Sequence, residues 1–159
     1  MLRRIAALGL IGVGADGALT RLAASDADKA GRDQLVAWMT EAGLSVDIDA
    51  AGNIFGALGA TGGDAAPVMI GSHIDTVINA GIYDGCYGVL AGLEVAQSLR
   101  EADVALARPI TIAAFTNEEG VRFQPDMMGS LVHAGGLSIE DALARTATDD
   151  GATLGAELQ

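Results

Sequence analysis

The 159-residue chain has one cysteine, three prolines, two histidines and few aromatic residues, 4% of the total. A lone Cys86 cannot form an internal disulfide, which suits a reducing compartment, with the cytoplasm as the default location. Positive charge is scarce as well: nine Lys and Arg stand against 21 Asp and Glu, a formal net charge of −12. That balance repels phosphate backbones and anionic headgroups, so no nucleic acid and no membrane is expected as a partner, and small molecules are favoured. No apolar run is long enough to cross a bilayer as a helix. Met1-Leu2-Arg3-Arg4 followed by Ile5 to Val13 has the outline of a signal peptide, but Gly9, Gly12 and Gly14 interrupt it and no Ala-x-Ala site closes it. The sequence also lacks a Gly-x-Ser-x-Gly elbow and a Gly-x-x-x-x-Gly-Lys loop, which argues against a serine nucleophile and a phosphate cradle. What it has in quantity is apolar side chain, half of all residues, enough for one domain with a sizeable core.

Periodicity places the elements. Ser25 or Asp26 caps a helix from about Ala27 to Ala42, with Leu35, Val36, Met39 and Ala42 on one face and Gly43 as its stop. Ser45 to Asp49 and Asn53 to Leu58 read as a β-hairpin around Ala50-Ala51-Gly52, and a Gly/Ala-rich loop, Gly59 to Pro67, follows. Val68 to Gly71 is a short apolar strand, Gly88 to Arg100 a helix with Leu90, Leu93, Val95, Ala96 and Leu99 at helical spacing, and Ile110 to Phe115 a second buried strand. The order strand, helix, strand suits a parallel βαβ unit. Ser138 caps a short helix to about Ala144, Thr148 to Gly151 is turn-like, and Leu154 to Gln159 opens another element.

The chemistry-bearing residues gather at the C-terminal ends of the two strands, the usual place for ligands in an α/β sheet. His73 and Asp75 follow the first strand, and two residues apart in extended chain they share a face. A carboxylate there can accept the second ring N–H of a metal-bound imidazole. Asp84 lies in a glycine-rich loop where an isolated Asp-Gly is ordinarily only a turn; beside the other motifs it suits a bridge between two cations. Glu118 and Glu119 are adjacent like charges at the mouth of an apolar strand, which a cation relieves, one glutamate as ligand and its neighbour as general base. Cys86 reads as a small buried filler and His133 as a packed or surface histidine. Arg122 is left open between contacting an anionic substrate group and neutralising the two glutamates.

These motifs, taken in order, carry a resemblance. Gly71-Ser72-His73-Ile74-Asp75-Thr76-Val77, Gly81-Ile82-Tyr83-Asp84-Gly85, Phe115-Thr116-Asn117-Glu118-Glu119-Gly120-Val121-Arg122-Phe123 and Met128-Gly129-Ser130 strongly resemble the hydantoinase/carbamoylase family of amidohydrolases, within the wider clan of dinuclear metallopeptidases. Thr20-Arg21-Leu22, Asp28-Lys29-Ala30-Gly31-Arg32-Asp33 and Asp49-Ala50-Ala51-Gly52-Asn53 extend it towards the N-terminus. The resemblance implies an α/β fold: the N-terminal portion of a three-layer, zinc-exopeptidase-like catalytic domain, with a mostly parallel sheet flanked by helices and an antiparallel hairpin. It further implies that His73, Asp84 and Glu119 are metal ligands with Asp84 bridging, that Asp75 orients His73, and that Glu118 is the general base. The cofactors would be two divalent metal ions, of zinc, manganese, cobalt or nickel. The expected reaction is hydrolysis of the carbamoyl C–N bond of an N-carbamoyl-L-amino acid or related ureido acid by a metal-activated water. An allantoate amidohydrolase or a peptidase of the same clan is the alternative, and a non-catalytic module with weak metal binding is the competing reading for these residues alone. Two departures stand out: Ala80-Gly81 replaces a frequent Gly-Gly pair, and the family's downstream His-x-Glu-Gln motif is missing. Residues 1–159 are therefore expected to be an incomplete catalytic domain, clipped at its N-terminus, whose parent forms a homodimer through a lid and dimerisation domain.

Overall fold

The computed structural model describes residues 1–59 and 65–159. The anticipated Gly59–Pro67 loop therefore lies partly outside the described residues. A first helix, α1 (Leu2–Leu8), turns Ile5 and Leu8 into the core; the segment with a signal-peptide outline is a packed element here. Next, α2 (Asp26–Glu41) starts at Ser25, whose side chain accepts a hydrogen bond from the Asp28 amide, with Asp26 and Asp28 in the first turn favouring the helix dipole. Leu35 and Met39 are fully buried along one stripe, while Val36 packs at its margin.

The strands are β1 (Ser45–Ile48), β2 (Ile54–Leu58), β3 (Val68–His73) and β4 (Ile110–Phe115). They form one sheet in the order β1-β2-β4-β3. Only β3 and β4 pair in parallel; β2 lies antiparallel to both β1 and β4. Thus the α/β class holds, while among the described strands the sheet is mixed and the hairpin extends the βαβ unit instead of standing apart from it. The reason is local: a tight turn joins β1 to β2, whereas the return from β3 to β4 runs through the helix α3 (Cys86–Glu101).

That helix presses Val89, Leu90, Leu93 and Ala96 into the core against Ile112 and Ala114 of β4 and Leu35 and Met39 of α2. Val95, assigned to the apolar stripe from spacing, is exposed instead. It falls two residues from Leu93, on the opposite side of a 3.6-residue turn. Gly88 and Gly92 allow α3 to lie close to the sheet: a Cβ on Gly92 would come to 3.0 Å from both Ile70 and Ile112, and one on Gly88 to 2.9 Å from Ser72. A second, smaller cluster of Ala23, Phe123, Met128, Ala142, Ala147 and Leu154 gathers α4 (Met128–His133), α5 (Ile139–Leu143) and α6 (Leu154–Glu157). No helix among the described residues is long and apolar enough to cross a membrane.

Candidate metal centre

Parallel pairing sets His73 opposite Phe115, so β3 and β4 end level with each other. The chain leaves β3 at His73 and β4 at Phe115, so both following loops start from the same end of the sheet. His73 is 7% exposed. Its Nε2 lies 3.3 Å from Glu118 Oε2. One ligand-type atom from each of His73, Glu118 and Glu119 falls within 4.8 Å of the others. Asp84 is not one of that group of three, and acts on it as a carboxyl group neighbouring Glu119. Burial, then the nearby Asp84, push the Glu119 carboxyl up to about 7.

The position of Asp84 follows from Gly85, which has φ +61°. A Cβ at that residue would fall inside the van der Waals envelope of the His73 ring. The loop can therefore lie flat on the imidazole only with glycine in this place.

Asp75 is 3% exposed, and its carboxylate does not take the His73 ring N–H as the spacing suggested. Because β3 stops at His73, the two residues do not continue one strand. The Asp75 carboxylate stands 3.7 Å from His73 Nδ1 and accepts instead from the amides of Glu118 and Glu119, each at 3.2 Å. The Asp75 carbonyl takes over the imidazole, 2.9 Å from Nδ1. A carbonyl only accepts, so in this contact Nδ1 is the donor, and the ring is held with Nε2 facing the glutamates. Burial raises the Asp75 pKa, and His73 and the two amides pull it down.

The other marked residues stand apart from this cluster. The Arg122 guanidinium meets neither glutamate: it pairs with Asp149, Asp150 and Glu157 and donates to the Ala24 carbonyl, tying the smaller apolar cluster to the segment before α2. His133 packs against Phe55 and Phe115, ring centroids 5.3 and 5.7 Å away. Cys86 is buried and its thiol donates to the Ile82 carbonyl. A cavity of about 570 Å³ between the start of α2, the Asp49–Gly52 turn and α6 shares no lining residue with the carboxylate cluster.

Two residues with a bearing on the site carried no chemical signal in the sequence. Asn117, at φ +54°, donates from its side chain to the Phe123 and Pro125 carbonyls and so shapes the loop after the glutamates. Arg21 is fully buried and reaches the Ile74 carbonyl, between His73 and Asp75. Its one mark in the sequence was its place in Thr20-Arg21-Leu22, a stretch that extends the family resemblance.

The family model for peptidase family M28 matches residues 53–150, a span that holds every member of the cluster except the N-terminal supports. The chain belongs to peptidase family M28. Within this family setting, the chain is 43% identical over 145 residues to an N-carbamoyl-L-amino acid amidohydrolase of Geobacillus stearothermophilus, covering 91% of this chain and 36% of that protein. It is 38% identical over 127 residues to an allantoate deiminase of Arabidopsis thaliana, covering 70% and 24%. A crystal structure of a hydantoinase/carbamoylase family amidase from Burkholderia ambifaria superposes with a TM-score of 0.95 at 46% identity, covering 99% of this chain and 38% of that one. The hydantoinase/carbamoylase resemblance read from the ordered motifs is borne out. The chain spans little more than a third of the length of the amidohydrolase and the amidase and about a quarter of that of the allantoate deiminase.

Proposed function

We propose that these residues form the metal-site part of a hydrolase of linear amides that cleaves the carbamoyl C–N bond of N-carbamoyl-L-amino acids or related ureido acids. The observation that carries the reading is the convergence of His73, Glu118 and Glu119 within 4.8 Å, with Asp84 near enough to push up the Glu119 carboxyl. Similarity to an N-carbamoyl-L-amino acid amidohydrolase supports the substrate class.

The donor set fits divalent cations. It offers one imidazole with its Nε2 turned to the carboxylates, and a Glu119 carboxyl held up to about 7 by burial and the nearby Asp84, whose ionisation a cation would favour. His73, Asp84 and Glu119 would hold two such ions, zinc, manganese, cobalt or nickel, Asp84 serving as the shared ligand. When bound, the ions supply positive charge that polarises the scissile carbonyl and acidifies water. Glu118, with a third of its side chain exposed, is the carboxylate open to substrate: it takes the proton of the attacking water and returns it to the leaving nitrogen. Asp75 holds both glutamate amides and, through its carbonyl, the His73 ring. The work takes place in a longer protein, proposed to be cytoplasmic and homodimeric, of which residues 1–159 are part of the catalytic domain.

The test is Glu118→Gln in a protein of the relatives' full length. Divalent-ion stoichiometry by calorimetry should be retained, while hydrolysis of N-carbamoyl-L-amino acids falls by roughly 10²-fold or more. Turnover at the unsubstituted rate removes Glu118 from the role of base. A panel of N-carbamoyl-L-amino acids, allantoate and dipeptides separates the proposed substrate class from the second reading, an allantoate hydrolase, which the likeness to allantoate deiminases favours.

A further inference from the structure

Arg21 is 1% exposed, yet each of its side-chain hydrogen bonds goes to a backbone carbonyl. Nε donates to Ile74 at 2.8 Å, and one terminal nitrogen donates to Leu8 at 3.0 Å and Ile11 at 2.7 Å. Its main chain is stitched to the same loop. The Arg21 amide donates to the Thr76 hydroxyl at 2.8 Å, and the Thr76 amide donates to the Arg21 carbonyl at 2.8 Å. The stem is enclosed too, since a Cβ on Gly31 of α2 would stand 3.0 Å from Arg21 Cδ. Burying a guanidinium without a bonded carboxylate is expensive, and an apolar side chain would fill the volume at lower cost. What only a rigid fork of donors provides is a simultaneous bond to carbonyls on two separate pieces of chain.

We propose that Arg21 is a positioning residue for the candidate metal centre: it fastens the Ile74 carbonyl to the end of α1 and thereby holds the turn in which the Asp75 carbonyl meets His73 Nδ1 and the Asp75 carboxylate meets the Glu118 and Glu119 amides. The stretch concerned runs from His73 to Thr76; Arg21 grips it at Ile74 and Thr76, while His73 faces the Glu118 carboxylate and Asp75 holds the Glu118 and Glu119 amides. Without the grip, the Asp75 carbonyl is free to leave Nδ1, and the imidazole loses the contact that keeps its proton there.

The proposal rests on the metal reading only for its affinity arm. The test compares Arg21→Lys, which keeps a buried cation but not the fork, with Leu35→Ala, a core variant of comparable thermal destabilisation away from the turn. In the metal-free chain at alkaline pH, ¹⁵N imidazole spectra report the tautomer, with His133→Asn identifying the His73 signal. The unsubstituted chain and Leu35→Ala should show His73 mainly as the Nδ1–H form, and Arg21→Lys a shift towards Nε2–H. Manganese titration should show at least tenfold weaker binding for Arg21→Lys than for Leu35→Ala. If Arg21→Lys does not fold, Thr76→Val becomes the deciding variant, with the same tautomer shift and severalfold weaker binding expected. A deciding variant that keeps the tautomer and the affinity, or a Leu35→Ala control that loses both equally, overturns the proposal. If the unsubstituted chain binds no manganese, the metal reading fails, and the tautomer comparison still decides the role of Arg21.

Discussion

Asp28 provides a test of the buried electrostatics that needs no metal and no substrate. It sits in the first turn of α2, 2% exposed. Its Oδ2 accepts from the Ala24 amide at 2.9 Å, while its Oδ1 is buried and has no hydrogen-bond partner. Burial pushes the carboxyl from an ordinary 3.8 up to about 6, against the pull of Arg32 and the Ala24 amide and with a further push from Asp75. The sign follows from proton counting. Between these two values the folded chain holds a proton that the unfolded chain has released, so stability falls as pH rises through the window and stays low above it. At about 1.4 kcal/mol per pH unit, the full penalty is about 3 kcal/mol, and the part that develops between pH 5 and pH 8 is about 1.4 kcal/mol. Asp28→Asn keeps an oxygen for the Ala24 amide and removes the ionisation. In urea melts, the stability of Asp28→Asn relative to the unsubstituted chain should therefore grow by about 1.4 kcal/mol from pH 5 to pH 8. Two parallel pH profiles would refute the reasoning, since they would mean that Asp28 ionises alike in the folded and unfolded chains.

Three further outcomes are expected. With the Glu119 carboxyl at about 7, manganese affinity should rise as pH goes from 6 to 8, and binding near pH 7 should release a proton, read as a buffer-dependent enthalpy in calorimetry. A buffer-independent enthalpy would contradict a Glu119 carboxyl that is part protonated near pH 7. Gly85→Ala combines φ +61° with a Cβ directed into the His73 ring, so it should cost about 1–3 kcal/mol of stability and weaken manganese binding at least tenfold; titration at unchanged affinity would show that the loop does not depend on that approach. Leu93→Ala, fully buried on α3 against the sheet, should cost about 2–5 kcal/mol in urea melts, and a loss under 1 kcal/mol would mean that the helix does not carry the core as described.

Short-range physics made much of the fold legible. Ser25 caps α2 as its hydroxyl and position require, and Ser138 caps α5 in the same way. The apolar run Ile110–Phe115 is the buried strand it reads as. His73, Asp84, Glu118 and Glu119 were named from motif chemistry, and the same motifs carried the family. Distances between them were not legible, because residues 73, 84 and 118 are joined by a helix and a strand whose packing no local pattern encodes. Partner choice was equally hidden. Arg122 lies three residues from Glu119, but pairs with Asp149, Asp150 and Glu157; Arg21 bonds to Ile74, more than fifty positions away. Helical and strand segments and the identity of the ligand-type side chains follow from local order along the chain, since propensity, capping and periodicity act within a few residues. That Asp75 serves the glutamate amides with its carboxylate and His73 with its carbonyl, and that β2 lies beside β4, emerges only once the elements are packed. Those outcomes depend on how separate elements pack, and that is a property of the whole chain.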